Sequence, residues 1–221
     1  MSSPSQSDYT RKLATAGLVM GIAALAGQYV FFQPLFRQMG MGPISSAFGM
    51  LMFFTVLTNS MLVAAYWSSL TDTPGRIAMF FRQTGVRTAL AAHIALVAIV
   101  YVTAIRGHVP MTLPMLVTDA LLHYLAPIAY LAWWWRLPGK QAISYPDIPR
   151  WMAWPVLYLC FIMLGGLTTG AFIYPILDVN RLGSIIVAVN IVLILSLLAV
   201  LCAGLVFVAK LQSDKTKAPA R

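Results

Sequence analysis

The sequence predicts an all-α integral membrane protein with six transmembrane helices and both termini in the cytoplasm. Of its 221 residues, 60% are apolar and only 10% are charged. Its mean hydropathy of +0.80 is higher than that of soluble globular domains. The apolar residues also fall into six runs of about 20 residues, the length that crosses ~30 Å of hydrocarbon as a helix. These features together indicate a membrane protein.

Short turns separate the six predicted spans. GMGP at 40–43 and RLPGK at 136–140, for example, carry the glycine and proline that end helices. We therefore expect one six-helix transmembrane domain at 13–209, between a disordered N-terminal tail at 1–12 and a disordered basic tail at 210–221. The spans are 13–36, 44–69, 86–106, 112–135, 151–174 and 183–209.

The basic residues determine the predicted orientation. Arg37, Arg106 and Arg181 fall on one side of the membrane. The other twelve share the side of both termini: Arg11, Lys12, Arg76, Arg82, Arg87, Arg136, Lys140, Arg150, Lys210, Lys215, Lys217 and Arg221. By the positive-inside rule, that side is cytoplasmic. Topology and contact with anionic membrane lipids therefore account for the net charge of +9, and nucleic-acid binding is not expected.

One acidic residue lies within a predicted span. Asp119 occurs in the stretch VTDALLHYLAP at 117–127, four residues before His123. An aspartate at the centre of a membrane helix costs about 3 kcal/mol unless it is paired. Since residues four apart share one helix face, the carboxylate can accept a hydrogen bond from the imidazole. Asp119 and His123 either have a structural role, joining two helices, or form a histidine base that the carboxylate orients.

A threonine is predicted at the same membrane depth as this histidine. The second and fourth spans both enter from the outer side, and Thr55 and His123 each lie about 16 Å below that edge at 1.5 Å per residue. Thr58 and Asn59 follow one turn deeper. A threonine hydroxyl beside an imidazole is the nucleophile–base pair of acyl transfer. The alternative is a structural role for the threonine, because threonines in membrane helices often donate a hydrogen bond to a carbonyl of their own helix.

Four short motifs in chain order resemble a known family. They are FFTVLTN at 53–59, LLHYLAP at 121–127, WPVLY at 154–158 and GAFIYPILDV at 170–179. Together they are similar to the androgen-induced-gene family, which includes the androgen-dependent TFPI-regulating protein and bacterial six-span proteins. The similarity extends over about 44–179.

The resemblance implies an intramembrane hydrolase of fatty acid esters of hydroxy fatty acids, a threonine-dependent lipid esterase. Its nucleophile falls on Thr55, which follows an aromatic pair, and its base on His123; Thr58 is the alternative nucleophile. No cofactor is implied. The bacterial members of the family also suggest a bacterial cytoplasmic membrane as the location.

Supporting roles are expected for further polar residues. Asp119 would orient His123, and Asn59 or Tyr158 would donate to the oxyanion. Tyr158, Thr169 and Tyr174 are expected to line the substrate cavity, with the Tyr174–Pro175 pair closing the fifth helix at its outer end.

Other functional classes are weighed against hydrolysis. A proton-coupled transporter would use Asp119 and His123 as a relay, and a haem protein would use His93 and His123 as axial ligands. No metal site is expected, because the sequence has no H-E-x-x-H motif and no third ligand near Asp119. Cys160 and Cys202 lie inside spans, where packing is their ordinary role.

Overall fold

A computed structural model describes residues 6–107 and 110–217, which are mainly helical and contain no β-strand. Two π-helical turns interrupt the helices: Tyr101–Ile105 continues α5, and Leu121–Leu125 joins α6 to α7. The helices are α1 Gln6–Gln38, α2 Pro43–Met50, α3 Phe54–Leu70, α4 Arg76–Arg82, α5 Thr84–Val100, α6 Leu113–Ala120, α7 Ala126–Arg136, α8 Ile148–Thr169, α9 Val179–Leu182 and α10 Ser184–Lys217.

Among the described residues, five helical segments are long and apolar enough to cross a membrane, and the number is six if the bent α2–α3 pair counts as one span. This architecture is compatible with the predicted integral membrane protein. The five are Ser7–Gln38, Thr84–Ile105, Leu113–Arg136, Tyr145–Thr169 and Ser184–Ser213. The prediction of one continuous helix over 44–69 is wrong, because α2 and α3 are bent by 84° across residues 51–53.

Two tyrosines from a distant part of the chain satisfy the broken backbone between α2 and α3. The Tyr158 hydroxyl donates to the carbonyl oxygen of Met52 at 2.7 Å. The Tyr174 hydroxyl accepts the N–H of Phe54 at 2.9 Å, and the two hydroxyl oxygens lie 3.2 Å apart. Backbone that leaves a helix inside a membrane needs such partners, because lipid offers none. The break is therefore held by side chains of α8 and the loop after it.

Several helix ends differ from the predicted ones. Helix covers residues 6–12 and 210–217, which the sequence assigns to tails, whereas 1–5 and 218–221 lie outside the described residues. The fifth span ends at Thr169 and not at 174. Gly170 follows with a φ of +75°, a left-handed conformation that glycine adopts without strain and that commonly ends helices. Tyr174–Pro175 therefore lies in the loop after α8 and does not close it.

Glycines let α1 pack closely against other helices of the same chain. A Cβ added at Gly17 would lie 2.3 Å from Cζ of Tyr66 on α3, and one added at Gly27 would lie 2.5 Å from Cγ2 of Thr118 on α6. Small residues permit this kind of approach between membrane helices. Through these contacts α1 packs against both α3 and α6. Helix α5 packs against α3, α7, α8 and α10.

A buried lysine joins the end of α7 to α10. The ammonium of Lys140 donates to the carbonyl oxygens of Trp135 and Leu137, both at 2.7 Å, and to the side-chain oxygen of Gln212 at 2.9 Å. A cation at the C-terminal end of a helix also complements the helix dipole. Burial lowers the pKa of Lys140 to about 8.

Candidate active site

The structure brings Thr55 and His123 into contact. The hydroxyl oxygen Oγ1 of Thr55 lies 3.2 Å from Nε2 of His123. Thr55 is the second residue of α3, directly after the break, and its side chain is half-buried. His123 lies on the π-helical turn between α6 and α7 and is 8% exposed. The threonine is thus accessible from one side while the imidazole is enclosed by protein.

Asp119 determines which nitrogen of His123 carries the proton. Nδ1 of the imidazole lies 3.0 Å from Oδ1 of Asp119 and 3.1 Å from the backbone carbonyl oxygen of the same residue. Both oxygens accept hydrogen bonds, so Nδ1 must be the protonated donor. In the neutral ring, Nε2 then has a free lone pair directed at the hydroxyl of Thr55. Thr55, His123 and Asp119 therefore form a hydrogen-bonded chain with the proton order that a general base requires.

Tyr101 extends this chain and was not foreseen from the sequence. Its hydroxyl donates to Oδ2 of Asp119 at 2.5 Å, and its ring stacks on the imidazole of His123 with centroids 3.7 Å apart and planes inclined by 15°. Both carboxylate oxygens of Asp119 are thereby hydrogen-bonded, which reduces the cost of burying the charge. In the sequence, Tyr101 is distinguished only as a tyrosine near the end of the third predicted span.

The π-helical turn at His123 creates a free carbonyl that Asn59 uses. In this turn the N–H of Ala126 bonds to the carbonyl of Leu121, five residues earlier. The next bond in that pattern would join residue 127 to Leu122, but residue 127 is a proline and has no N–H. The side-chain amide of Asn59 donates to the Leu122 carbonyl instead, at 3.4 Å. π-Turns often occur at functional sites, and this one positions the imidazole beside α3.

Thr58 does not reach the histidine. It is 1% exposed, and its hydroxyl makes no hydrogen bond to any residue that the structure describes. Of the two threonines considered from the sequence, Thr55 alone lies within hydrogen-bond distance of His123. Thr58 is therefore a natural control for experiments on Thr55.

Neither of the side chains expected to stabilise an oxyanion is free to do so. The amide of Asn59 donates to the carbonyls of Thr55, at 2.9 Å, and Leu122, and the hydroxyl of Tyr158 donates to the carbonyl of Met52. Two backbone donors belong to Thr55 itself and to the residue after it. The N–H groups of Thr55 and Val56 are in the first turn of α3, where the break removes the acceptors four residues earlier.

These two N–H groups are placed like the oxyanion donors of known acyl-transfer enzymes. A backbone N–H just after the nucleophile, at the start of a helix, serves that role in the strand–turn–helix hydrolases. The N-terminal end of a helix also favours negative charge. The neighbouring Phe54 N–H is already bonded to the Tyr174 hydroxyl, so Thr55 and Val56 supply the donors that remain. The break, invisible in the sequence, is what removes their helical acceptors.

An apolar cavity of about 80 Å³ adjoins Thr55. Helices α3, α5, α8 and α10 form its walls, and its polar groups are the hydroxyls of Thr55, Tyr158 and Tyr174. Tyr158 and Tyr174 thus both line this cavity. Thr169 does not line this cavity. It is the last residue of α8, its side chain is exposed, and its hydroxyl donates to the carbonyl of Gly165.

His93 is held in the protein core by a separate contact. Its Nε2 lies 2.9 Å from the carbonyl oxygen of Trp151, which can only accept, so that nitrogen is protonated. An axial haem ligand must offer a free nitrogen lone pair. On His93 only Nδ1 has such a lone pair, and this nitrogen is buried in the protein. Within the described part of the chain, no three His, Cys, Asp or Glu side chains cluster as metal ligands.

The chain matches no protein-family model, no curated protein and no solved structure. A functional assignment therefore depends on the geometry of this site and on the sequence motifs. The Thr55–His123–Asp119 chain, enclosed by helices and open to an apolar cavity, is the arrangement on which such an assignment can be built.

Proposed function

We propose that this protein is an intramembrane lipid ester hydrolase in which Thr55 is the nucleophile and His123 the general base. The observation that carries the proposal is the 3.2 Å contact between Thr55 Oγ1 and His123 Nε2, with Nδ1 of the same ring held by Asp119. A threonine hydroxyl is a weak nucleophile until an adjacent base accepts its proton. Asp119 orients that base and stabilises the imidazolium formed during attack.

The proposed reaction follows the two steps of acyl transfer. Thr55 Oγ1 attacks the ester carbonyl carbon while its proton passes to His123 Nε2, and the developing oxyanion meets the N–H groups of Thr55 and Val56. The C–O bond to the alcohol then breaks, and the alcohol leaves with the proton from Nε2. Water, deprotonated by His123, attacks the acyl-threonine in turn and releases the fatty acid.

The site favours a lipid ester over a water-soluble one. The cavity beside Thr55 is bounded mainly by aliphatic side chains of α5, α8 and α10, which suit an acyl chain. The motifs shared with the androgen-induced-gene family point to fatty acid esters of hydroxy fatty acids as the substrate class. The same resemblance and the distribution of basic residues support a bacterial cytoplasmic membrane with both termini inside.

Hydrolysis of such an ester by the purified protein in mixed micelles tests the proposal. Thr55→Val keeps the shape of the side chain and removes the hydroxyl, and we expect it to lower the rate by a factor of at least about 10². Thr58→Val is the matched control, because its hydroxyl lies on the same helix without a described partner. A folded Thr55→Val protein that hydrolyses the ester at the normal rate contradicts the proposal.

A proton-coupled transporter is the second candidate, and one observation favours it. Tyr101, Asp119, His123 and Thr55 form a continuous row of hydrogen bonds, as a proton relay would. Proteoliposomes distinguish the two: a transporter acidifies its lumen in a substrate-dependent way without cleaving an ester. A hydrolase cleaves the ester equally well in detergent, where no gradient exists.

A further inference from the structure

A basic pocket lies at the opposite end of the bundle from the loop that carries Tyr174. Its volume is about 790 Å³, and its walls come from the start of α1, the α3–α4 connection, the start of α5 and the end of α7. Four arginines line it: Arg11, Arg82, Arg87 and Arg136. None of these arginines makes an ion pair with any residue that the structure describes. The pocket lining includes one carboxylate, that of Asp72, which is exposed and likewise makes no ion pair with a described residue.

Arg87 is fixed in place and keeps two donors for a ligand. Its Nε donates to the carbonyl of Phe81 at 2.9 Å, and its guanidinium carbon lies 5.1 Å from the ring centroid of the buried Trp133. These two contacts hold the guanidinium plane while its two terminal nitrogens bond to no described residue. A half-buried, oriented guanidinium fork of this kind is suited to the oxygens of a phosphate.

Arg82 has a structural role in the same wall. It donates to the carbonyl oxygens of Ser68 at 2.8 Å, of Thr71, and of Thr73 at 3.2 Å, and so caps the C-terminal end of α3. Its positive charge nevertheless remains beside that of Arg87, and the two repel each other. Carbonyl oxygens satisfy its donors without neutralising it, so the pocket retains unbalanced positive charge.

Arg11 and Arg136 complete the pocket from the outside. Both are exposed, on α1 and at the end of α7. The Arg136 guanidinium lies 5.2 Å from the ring centroid of Tyr9, and the side chain of Arg11 makes no hydrogen bond to a described residue. Two exposed cations thus line the same pocket as the half-buried, fixed guanidinium of Arg87. An anion such as a phosphate would balance part of this positive charge.

We propose that this basic pocket is a binding site for a phosphate group, held by the half-buried Arg87 and by the exposed Arg11 and Arg136. The site is separate from Thr55 and does not depend on the proposed hydrolase activity. The phosphate comes either from the headgroup of a phospholipid in the adjoining leaflet or from a soluble phosphate. The pocket lies at the end of the apolar helices, the level at which headgroups are found.

Native mass spectrometry of the detergent-solubilised full chain tests this proposal. The protein is titrated separately with phosphatidylglycerol, with phosphatidylcholine and with inorganic phosphate. We expect one phosphatidylglycerol molecule to bind, and Arg87→Gln to weaken its affinity about tenfold through the loss of the two-donor contact. Arg76→Gln is the matched control, an exposed arginine of α4 outside the pocket, and it should leave the affinity unchanged.

The arms of the experiment identify the source of the phosphate and can overturn the proposal. Displacement of the lipid by millimolar inorganic phosphate supports a soluble phosphate ligand, and lipid that stays bound supports a headgroup site. The double variant Arg11→Gln/Arg136→Gln changes only exposed side chains, so it tests the pocket even if Arg87→Gln fails to fold. The proposal is wrong if Arg76→Gln weakens binding as much as the pocket variants, or if none of them changes it.

Discussion

Replacing Asp119 with asparagine tests whether the carboxylate sets the proton order of His123. The carboxylate accepts two hydrogen bonds, from Nδ1 of His123 and from the Tyr101 hydroxyl. An amide offers one acceptor oxygen and one NH₂ donor, so it cannot accept both. Where its NH₂ faces Nδ1, the proton moves to Nε2, and that nitrogen can no longer accept the proton of Thr55.

The size of the loss follows from the bonds around Nδ1. A hydrogen bond to a charged group contributes about 1.5–3 kcal/mol, which corresponds to a roughly 10- to 150-fold fall in kcat. The backbone carbonyl of Asp119, 3.1 Å from Nδ1, survives the substitution and still favours the productive tautomer. We therefore expect a smaller loss than the ~10⁴-fold seen for the equivalent change in a serine protease triad.

Initial rates of ester hydrolysis between about pH 5 and about pH 9 measure this effect. Asp178→Asn is the control, because an asparagine oxygen can cap α9 as the aspartate does. Thermal melting of each variant separates loss of activity from loss of fold. An Asp119→Asn protein with normal kcat and an unchanged pH profile would refute the role assigned to the carboxylate.

Three further predictions follow from other contacts. Tyr101→Phe removes one hydrogen bond to the Asp119 carboxylate and keeps the ring stacked on the imidazole, so kcat should fall only about 2- to 10-fold in the same assay. Gly17→Ala places a Cβ 2.3 Å from the ring of Tyr66 and should lower the free energy of unfolding by about 1–3 kcal/mol, whereas Gly204→Ala, with no atom within 4 Å, should not lower it. Burial lowers the pKa of Lys140 to about 8, against about 10.4 in the unfolded chain, so the folded protein binds fewer protons between these values. The free energy of unfolding should therefore rise between about pH 8 and about pH 10.4. The melting temperature of a Lys140→Met variant should not show this rise.

The membrane-spanning helices were predictable because hydropathy depends only on local sequence. Five of the six apolar runs correspond to helical segments long enough to span a membrane. The bend at 51–53 was not predictable in this way. The residues there are Leu, Met and Phe, as apolar as their surroundings, and the groups that satisfy the broken backbone come from Tyr158 and Tyr174, more than 100 residues later.

The proximity of Thr55 and His123 was predicted by an argument that the structure does not support. Counting along a straight helix from residue 44 puts both side chains at one depth, but α2 and α3 are bent by 84°. The contact arises because the bend starts a new helix at Phe54 beside the π-turn of His123. The same bend removes the helical acceptors of the N–H groups of Thr55 and Val56, which no sequence pattern could reveal.

The pairing of Asp119 with His123 was predictable because both lie on one helix with a fixed spacing. The participation of Tyr101 was not, since it depends on how the π-turn at the end of α5 lies against α6. Contacts within a helix follow from sequence periodicity. Predicting contacts between helices requires knowing how the helices pack against each other.

Covalent labelling of the nucleophile tests the central claim most directly. The purified protein is treated with a fluorophosphonate probe, and the modified peptide is identified by mass spectrometry in the wild type and in Thr55→Ala, Thr58→Ala and His123→Ala. The account predicts an adduct on Thr55 that persists in Thr58→Ala and disappears in the other two variants. An adduct on a different residue, or labelling of Thr55 that does not need His123, would contradict it.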